Sequence, residues 1–449
     1  MRLKERLVLL NFTDTAESAL MKYEPIGQEL YIKNREKLRS RLKPKSVAIL
    51  HSNDIMPTNA DGTMPFRQNS NLLYLSGIDQ EESILVIAPD FPDPKLREVL
   101  FVKETSEMIA IWEGHKYTKA EAREASGVQT VMWTSDFEKT LSTLLAQSEY
   151  IYLDSNEHIR SATEVKTRND RFVKHCREQY PLFEYERLAP IIYDLRQVKE
   201  PREIELIQKA CDITEKGFRR ILGFVKPGVW EFEVEAEYIH EFIRNRSRGF
   251  GYEPIVAGGA NACVLHYIDN NQQLQEGDLL LMDIGAEYAN YNADMTRTIP
   301  VNGRFTKRQR AVYDAVLRVK AAATQMLVPG NSIPAYHKQV GQLMESELLD
   351  LGLIDKTDIK NQKADWPAYK KYFMHGTSHH LGLDVHDVGS TYREFEPGMV
   401  FTVEPGIYIR EEGIGIRLED DVVITTTGQH NLMANIPLEA EEIESLMNA

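Results

Sequence analysis

The sequence predicts two domains, an α/β domain followed by an α+β domain with mainly antiparallel strands. Up to about residue 185, short apolar stretches typical of buried strands alternate with polar helical stretches. A long amphipathic helix then begins at Pro201. Beyond this helix, strand patterns punctuated by glycine occupy 251–302 and 395–427, without a fixed-period repeat or a phosphate-binding glycine loop. The second half therefore differs in class from the first.

Strand signals and the first residues place the domain boundaries. Three short apolar runs predict buried strands of the first domain, at 46–51, 84–89 and 100–103. We expect this domain to cover 21–185 and the second domain to cover 186–449. Residues 1–20 are expected to be an extension, because Met21 begins a fresh stretch and the apolar part of the extension is shorter than the core of a secretion signal.

Two helices of the second domain are predicted from their periodicity. The helix that begins at Pro201 repeats apolar or small side chains every three or four residues, at Ile204, Ile207, Cys211, Thr214, Phe218 and Ile221. Another helix is predicted over 307–327, and the dipeptide Pro329-Gly330 stops it.

Composition excludes several classes of protein. The 449 residues carry 53 Lys and Arg against 68 Asp and Glu, a formal charge of −15, whereas binding to a nucleic-acid backbone needs clustered positive charge. The most basic run, 33–45, spaces its charges at every second residue, which predicts a solvated helix surface. No run of 18 apolar residues suggests a membrane span, and three cysteines fit a reducing compartment. We therefore expect a cytoplasmic protein that binds neither nucleic acid nor membrane.

A pair of aspartates marks the first candidate site segment, 279–301, in which two strands flank a polar turn. A hairpin centred between Tyr288 and Ala289 would place Asp283 opposite Asp294. Directly opposed residues have Cβ atoms roughly 4.5–5.5 Å apart, so two carboxylates there would repel unless a cation such as Mn²⁺, Mg²⁺ or Ca²⁺ lies between them. The alternative is a different register in which both aspartates face water.

Histidines are concentrated in the second segment, 372–389, which contains four of the twelve in the chain. They are His375, His379, His380 and His386, and glycines between them allow close approach of the backbone to a site. A single histidine is usually a core or surface residue, but this density beside two aspartates favours a functional site.

Acidic residues lie at strand positions in the third segment, 400–423. Glu404 ends an apolar strand at a Pro-Gly turn, and period-2 alternation in the next strand places Arg417, Glu419 and Asp421 on one face. A buried carboxylate is costly unless it is paired or binds metal, so the alternative for Glu419 is a salt bridge to Arg417. Together the three segments offer four carboxylates and at least one imidazole, which suits two divalent cations that bridge a water and polarise a carbonyl.

The segments carrying these residues come in the order found in the pita-bread metallopeptidases, which include methionine aminopeptidases, prolidases and Xaa-Pro aminopeptidases. They are MDIGAEYANYNADMTRTIPV, HGTSHHLGLDVHDVG, TVEPGIYI and GIRLEDD, and the amino-terminal half adds FRQNSNLLYLSG and IWEGHK. After about Met21, nearly the whole chain resembles the Xaa-Pro aminopeptidase (aminopeptidase P) family. The resemblance implies a creatinase-like first domain with a mixed sheet, followed by a pita-bread catalytic domain with an antiparallel sheet flanked by helices.

The same resemblance implies the residues of the metal site. The five ligand positions of the family fall on Asp283, Asp294, His379, Glu404 and Glu419. Asp294 and Glu419 would bridge both ions, and Glu404 would also carry a proton from the attacking water to the leaving nitrogen. The implied cofactor is a pair of divalent ions, expected to be Mn²⁺, although Co²⁺ or Zn²⁺ would fit the same ligands.

Further residues are implied around these ligands. His266 and His386 resemble the histidines that contact substrate or stabilise the tetrahedral intermediate. Arg417 resembles the arginine beside the ligand glutamate. The proline pocket of the family maps to His375, Val385 and Arg417, and Trp112 would reach it from a neighbouring subunit, which implies a homodimer or homotetramer.

The activity implied is removal of the first residue from peptides whose second residue is proline, through attack by a metal-bridging hydroxide. A prolidase that cleaves only Xaa-Pro dipeptides is the alternative within the family. A pita-bread protein that retains its ligands but only binds partners is the alternative from another class.

Overall fold

The computed structural model describes residues 23–162 and 164–449, and the chain divides between Ala189 and Pro190 into two compact units. They are called the amino-terminal unit and the carboxyl-terminal unit below. The extension expected over 1–20 lies outside the described residues. None of the described helices is long and apolar enough to cross a membrane.

A six-stranded mixed sheet lies at the centre of the amino-terminal unit. Its strands are β1 (Ser46–His51), β2 (Ile84–Ile87), β3 (Glu98–Val102), β4 (Thr130–Trp133), β5 (Tyr150–Leu153) and β6 (Glu184–Arg187). The order across the sheet is β4-β3-β2-β1-β5-β6, with β1 antiparallel to β2 and parallel to β5. The helices of this part of the chain are α1 (Glu29–Arg39), α2 (Ser70–Ser76), α3 (Glu107–Glu113), α4 (Lys119–Ser126), α5 (Phe137–Leu145) and α6 (Arg168–Gln179).

The three strands predicted for this unit are present, with small differences in length. β1 spans the predicted residues, whereas β2 ends two residues earlier than predicted and β3 begins two residues earlier. Every side chain of β1 is buried, which is why this central strand is an almost continuous apolar run rather than an alternating one.

The basic run 33–45 was expected to be a solvated helix surface, and this is wrong for Arg35, whose side chain is 1% exposed. The Arg35 guanidinium donates to Glu98 Oε2 at 3.0 Å, to the Leu75 carbonyl at 2.7 Å and to the Ser126 carbonyl at 2.9 Å. A buried guanidinium requires such acceptors. They come from three distant segments, so charge spacing within the run could not reveal them.

Antiparallel strands in small sheets build the carboxyl-terminal unit. The strands are β7 (Ile255–Gly258), β8 (Leu279–Asp283), β9 (Glu287–Tyr288), β10 (Tyr291–Asn292), β11 (Thr296–Pro300), β12 (Val400–Val403), β13 (Gly406–Ile409), β14 (Ile414–Arg417), β15 (Asp420–Thr425) and β16 (Gly428–Asn431). They pair in the orders β11-β8-β7, β10-β9, β12-β15-β16 and β13-β14, and every pair is antiparallel. The helices are α7 (Ala189–Arg196), α8 (Pro201–Leu222), α9 (Glu231–Arg244), α10 (Lys307–Gln325), α11 (Ile333–Asp350), α12 (Lys356–Asn361) and α13 (Ala440–Met447).

The helix predicted from Pro201 is α8, and it packs closely against α9. Pro201 occupies its first turn, and the predicted apolar positions are buried except Ile204, which is partly exposed. Gly217 allows the close approach, because a Cβ atom there would lie 2.7 Å from Tyr238 Cδ1 and 2.9 Å from Phe242 Cε1. The second predicted helix, α10, ends at Gln325, two residues before the predicted end.

The hairpin register differs from the prediction. β8 pairs with β11 so that Asp283 lies opposite Thr296, not opposite Asp294. The turn lies one residue further along the chain than expected, with Ala289 and Asn290 at φ values of +54° and +69°, as in a type I′ turn. When a hairpin turn moves by one residue, each strand residue pairs with a partner two residues away from the expected one. Its side chain therefore stays on the same face of the sheet while its partner changes.

The continuous strand expected around 414–423 is also interrupted. β14 ends at Arg417 and β15 begins at Asp420, and the two strands belong to different sheets. Period-2 alternation therefore does not run through Leu418 and Glu419, and Glu419 lies in the gap between the two strands.

Gly217→Ala should lower the free energy of unfolding of the carboxyl-terminal unit by up to about 2 kcal/mol. Overpacking costs about 1–3 kcal/mol, against a gain of about 1 kcal/mol from replacing a helical glycine by alanine. Urea unfolding followed by circular dichroism measures the change. Gly223→Ala is the matched control, because the nearest atom to its Cβ position is 3.8 Å away, and an equal loss in both variants would contradict the packing argument.

Acid should destabilise the amino-terminal unit, because His51 folds into an environment that keeps it neutral. Burial, reinforced by Arg168, lowers the pKa of His51 from 6.5 to about 3. Below pH 6.5 the unfolded chain therefore binds a proton that the folded unit does not bind until the pH approaches 3. His51 therefore does not change the free energy of unfolding above pH 6.5. Below that pH it lowers this free energy by up to about 1.4 kcal/mol for each pH unit.

The measurement is the slope of unfolding free energy against pH between 6 and 4, for the wild-type protein and for His51→Leu. The slope for His51→Leu should correspond to the uptake of close to one proton fewer on unfolding than the wild-type slope. Identical slopes for the two proteins would show that His51 does not titrate on unfolding.

Candidate metal centre

Four of the five expected ligands lie at or just beyond the end of a strand, and the fifth, His379, lies in a loop. Asp283 is the last residue of β8, and Asp294 lies between β10 and β11. Glu404 follows β12, Glu419 lies between β14 and β15, and His379 belongs to the glycine-rich loop 376–389. Side chains at such positions can turn toward one another without breaking a ladder of strand hydrogen bonds.

The structure brings these side chains together. Asp294, His379 and Glu419 each offer one ligand atom, and these atoms lie within 4.8 Å of one another. His379 Nε2 is 3.4 Å from Asp294 Oδ2 and 3.6 Å from Glu404 Oε1. Although the predicted register was wrong, Asp283 still adjoins Asp294, since Tyr252 Oη lies 2.6 Å from Oδ1 of both.

The carboxylates around Tyr252 are not fully compensated electrostatically by the side chains that contact them. A phenol has one proton and can donate to only one carboxylate, so Tyr252 cannot compensate the charge of both aspartates. Burial, with repulsion from Asp283, raises the pKa of Asp294 well above its usual range. Burial, with repulsion from Asp294, does the same for the pKa of Glu419. A divalent cation would remove both costs, so the residues present fit a metal site.

The orientation of His379 fits a ligand role. Its Nδ1 lies 3.0 Å from the His380 carbonyl oxygen, and since a carbonyl only accepts hydrogen bonds, Nδ1 carries the proton. Nε2 therefore keeps its lone pair and points toward Asp294 and Glu404. This is the usual way in which a backbone carbonyl fixes the tautomer of a metal-ligating histidine.

Arg417 supports the acidic side of the site rather than pairing with Glu419. Its Nη2 lies 2.6 Å from Asp283 Oδ2, and its Nη1 donates to Tyr408 Oη at 2.9 Å. Thr296 donates to Glu419 Oε2 at 2.6 Å. The alternative of a salt bridge between Arg417 and Glu419 is therefore wrong. Although burial acts to lower the pKa of Arg417, its partners Tyr408 and Asp283 raise it well above its usual range.

His375 continues this chain of contacts. Tyr408 Oη lies 2.8 Å from His375 Nε2, and His375 Nδ1 lies 2.8 Å from the Gly376 carbonyl oxygen. Nδ1–H donates a hydrogen bond to the carbonyl, so Nε2 of the neutral ring accepts the hydrogen bond of Tyr408. Burial, reinforced by Arg417, lowers the pKa of His375 to about 3, and its imidazole is neutral at physiological pH.

The remaining predicted residues are placed as follows. The rings of His386 and His379 are 4.5 Å apart in an edge-to-face arrangement, and Val385 is half-buried beside His386. His266 lies on an exposed turn after the short 3₁₀ helix 259–263. Trp112 lies in α3 of the amino-terminal unit with 81% of its side chain exposed, and its role stays a prediction.

The sequence analysis assigned no site role to three residues, of which it named only Asp421. Tyr252 joins the two aspartates, Tyr408 links Arg417 to His375, and the Asp421 carboxylate accepts from the Asp294 backbone N–H at 3.0 Å. Tyr408 and Asp421 lie inside segments that the motifs marked, so a search for polar residues there could have found them. Tyr252 lies outside those segments, and nothing in the sequence singles it out.

Comparison with known proteins identifies the family. The family model described as metallopeptidase family M24 matches residues 205–426, and the model described as the aminopeptidase P N-terminal domain matches residues 31–152. The Xaa-Pro aminopeptidase of Escherichia coli (strain K12) is 36% identical over 440 residues, which cover 94% of this chain and 98% of the relative. The chain belongs to the Xaa-Pro aminopeptidase (aminopeptidase P) family.

Solved structures agree with this assignment. The zinc-substituted aminopeptidase P of E. coli in complex with product is 35% identical, with a TM-score of 0.84 and coverage of 95% of this chain and 99% of that one. Proline aminopeptidase P II from Yersinia pestis is 34% identical, with a TM-score of 0.84 and coverage of 94% and 100%. The fold is therefore the expected one, an amino-terminal domain of the aminopeptidase P type followed by a pita-bread catalytic domain.

Replacing Asp294 or Glu419 by alanine should abolish both metal loading and hydrolysis, because each supplies a buried carboxylate to the centre. Metal content is measured by mass spectrometry of the purified protein, alongside peptide cleavage. His386→Ala is the comparison, since it should lower turnover while leaving the metal bound. Full metal content and activity in Asp294→Ala would mean that the ligand assignment is wrong, and loss of metal in His386→Ala would make His386 a ligand.

Proposed function

We propose that this protein is a metal-dependent exopeptidase that removes the first residue from peptides whose second residue is proline. The observation that carries the proposal is the convergence of Asp283, Asp294, His379, Glu404 and Glu419 in a chain of the Xaa-Pro aminopeptidase family. A hydrolase needs these groups together, whereas a protein that only binds partners has no use for several buried, mutually repelling carboxylates.

The cofactor is proposed to be two divalent ions held by those five residues. Four carboxylates match the charge of two such ions, and oxygen-rich donor sets favour Mn²⁺, with Co²⁺ or Zn²⁺ as possible substitutes. When bound, the ions would lower the pKa of a water and polarise the scissile carbonyl. The fixed tautomer of His379 and the hydrogen bond of Thr296 to Glu419 preorganise the ligands for them.

Proton transfer is assigned to Glu404. Its oxygens lie 3.6 Å from both His379 Nε2 and His375 Nδ1. Burial raises the pKa of Glu404 to about 7, against the opposing effect of His379. A carboxylate placed among the metal ligands would accept the proton of the attacking water and deliver it to the proline nitrogen, which must leave as an amine.

Five other side chains are proposed to contact the substrate. His266 and His386 are proposed to donate hydrogen bonds to the oxygen on which charge develops. His375, Val385 and Arg417 are proposed to line the proline pocket, where the hydrogen bonds from Arg417 through Tyr408 hold the His375 ring in place. A bond to proline lacks an N–H group and has a fixed φ, so a pocket that recognises ring shape selects it.

The oligomeric state, the location and the choice between aminopeptidase and prolidase are parts of the same proposal. A homodimer or homotetramer is proposed because the exposed Trp112 would complete the site of a neighbouring subunit. A reducing, cytoplasmic location is supported by three cysteines, all buried and free. A prolidase remains the second candidate within the family, since the same ligands serve both activities, but the name of the E. coli relative favours the aminopeptidase.

The deciding measurement compares two substrates with protein that has been stripped of metal and reloaded with Mn²⁺. Release of the first residue from a tripeptide Xaa-Pro-Yaa should be well above release from the dipeptide Xaa-Pro. Cleavage of the dipeptide alone would make the protein a prolidase. If neither peptide is cleaved while two metals remain bound, the proposed activity is wrong. The tripeptide Xaa-Ala-Yaa is the control for proline selectivity.

A further inference from the structure

A buried ion network lies outside the ligand set, at the junction between α7 and α8. Arg196 Nη2 lies 2.5 Å from Asp387 Oδ1, and Lys199 Nζ lies 2.9 Å from Asp387 Oδ2. The three side chains are between 1% and 3% exposed. Removing such charges from water is so costly that a well-packed apolar cluster often stabilises a fold as much, so stability alone does not account for the network.

The network closes on a short loop that carries two predicted site residues. Arg196 Nη2 also lies 2.7 Å from Asp384 Oδ2. Its guanidinium therefore holds the carboxylates of Asp384 and Asp387, and the two residues between them are Val385 and His386. One cation thus fixes both ends of the segment that presents these side chains to the site.

Other contacts of the α7–α8 junction hold the surrounding chain. The Lys199 N–H donates to the Gly398 carbonyl at 2.9 Å, and Gln197 Oε1 accepts from the Ser390 N–H at 3.1 Å. The Asp387 N–H donates to the His380 carbonyl at 2.9 Å, which ties the loop to the residue next to His379. The loop is therefore attached to the junction on one side and to the ligand segment on the other.

The ion network packs closely against the loop at Gly382. A Cβ atom at Gly382 would lie 2.3 Å from Asp387 Oδ2 and 2.9 Å from Lys199 Cε. Asn292, on the hairpin that carries Asp294, donates through its side chain to the carbonyls of Gly382 and Leu383 at 3.1 and 3.0 Å. The loop is enclosed on both sides, and a change in the ion network must displace it.

We propose that Arg196, Lys199 and Asp387 are positioning residues that set the place of His386 relative to His379. The proposal rests on the proposed function, because His386 is assigned there to the oxygen on which charge develops. None of the three side chains needs to touch substrate. Their effect is transmitted through the backbone of 384–387, and a displacement of about 1 Å at a catalytic group can cost about 100-fold in rate.

The first test is Asp387→Asn, which keeps the shape of the side chain and removes its charge. We expect kcat for Xaa-Pro-Yaa to fall by about 10- to 100-fold with metal content unchanged, as for other residues that orient a site from behind. Hydrogen exchange followed by mass spectrometry should show faster exchange in peptides that cover 381–387. A kcat within twofold of wild type, or unchanged exchange there, would overturn the proposal.

A double variant separates positioning from stability. Asp387→Asn alone leaves Lys199 and Arg196 buried beside a neutral amide, which destabilises the fold. Lys199→Met/Asp387→Asn also removes one of these two buried cations and should recover part of the lost stability. We expect kcat to stay low in the double variant. If kcat and the unfolding midpoint both recover in the double variant, the network acts only through stability. Gly217→Ala, destabilised at a site away from the loop, should keep its kcat at temperatures where it is folded.

Hydrogen exchange also keeps this proposal distinct from the proposed activity. If the wild-type protein cleaves no Xaa-Pro peptide, the activity is wrong, yet the exchange of 381–387 still reports whether Asp387 fixes the loop. If the wild-type protein is active and Asp387→Asn changes neither exchange nor kcat, the positioning role alone is wrong.

Discussion

Repulsion among buried carboxylates is the constraint on which the carboxyl-terminal unit depends. Asp283, Asp294, Glu404 and Glu419 converge on one point, and burial raises the pKa of the last three. Only one guanidinium, that of Arg417, pairs directly with the group among the described residues, through Asp283. Such a cluster is stable only with protons or cations between its members. The carboxylates that repel one another are therefore the same groups that the proposed chemistry uses.

The fold meets this constraint by supporting each ligand from behind. Thr296 binds Glu419, the Asp421 carboxylate binds the backbone of Asp294, and the His380 carbonyl fixes the tautomer of His379. The supports of Glu419 and Asp294 come from strands distant in sequence, whereas that of His379 comes from the next residue. Ligand geometry is therefore a property of the packed unit rather than of any one motif, and the ion network behind 384–387 extends the same principle to the substrate side.

How far the sequence predicted the molecule can be judged from particular elements. Apolar runs and the helix at Pro201 were found because their periodicity is local. The hairpin register was wrong because Ala289 occupies a positive-φ position that alanine rarely adopts, so nothing in the sequence located the turn. Tyr252 and the burial of Arg35 were missed because their partners come from distant segments, and local patterns contain no information about such contacts.

The positions of the ligands along the chain have a consequence for synthesis. Glu419 is translated after all four other ligands, and the gap that holds it forms only when β14 and β15 have been placed in their separate sheets. The ligand set of a growing chain on the ribosome is therefore incomplete until this segment has emerged. Binding of metal by the complete set must follow release of that segment.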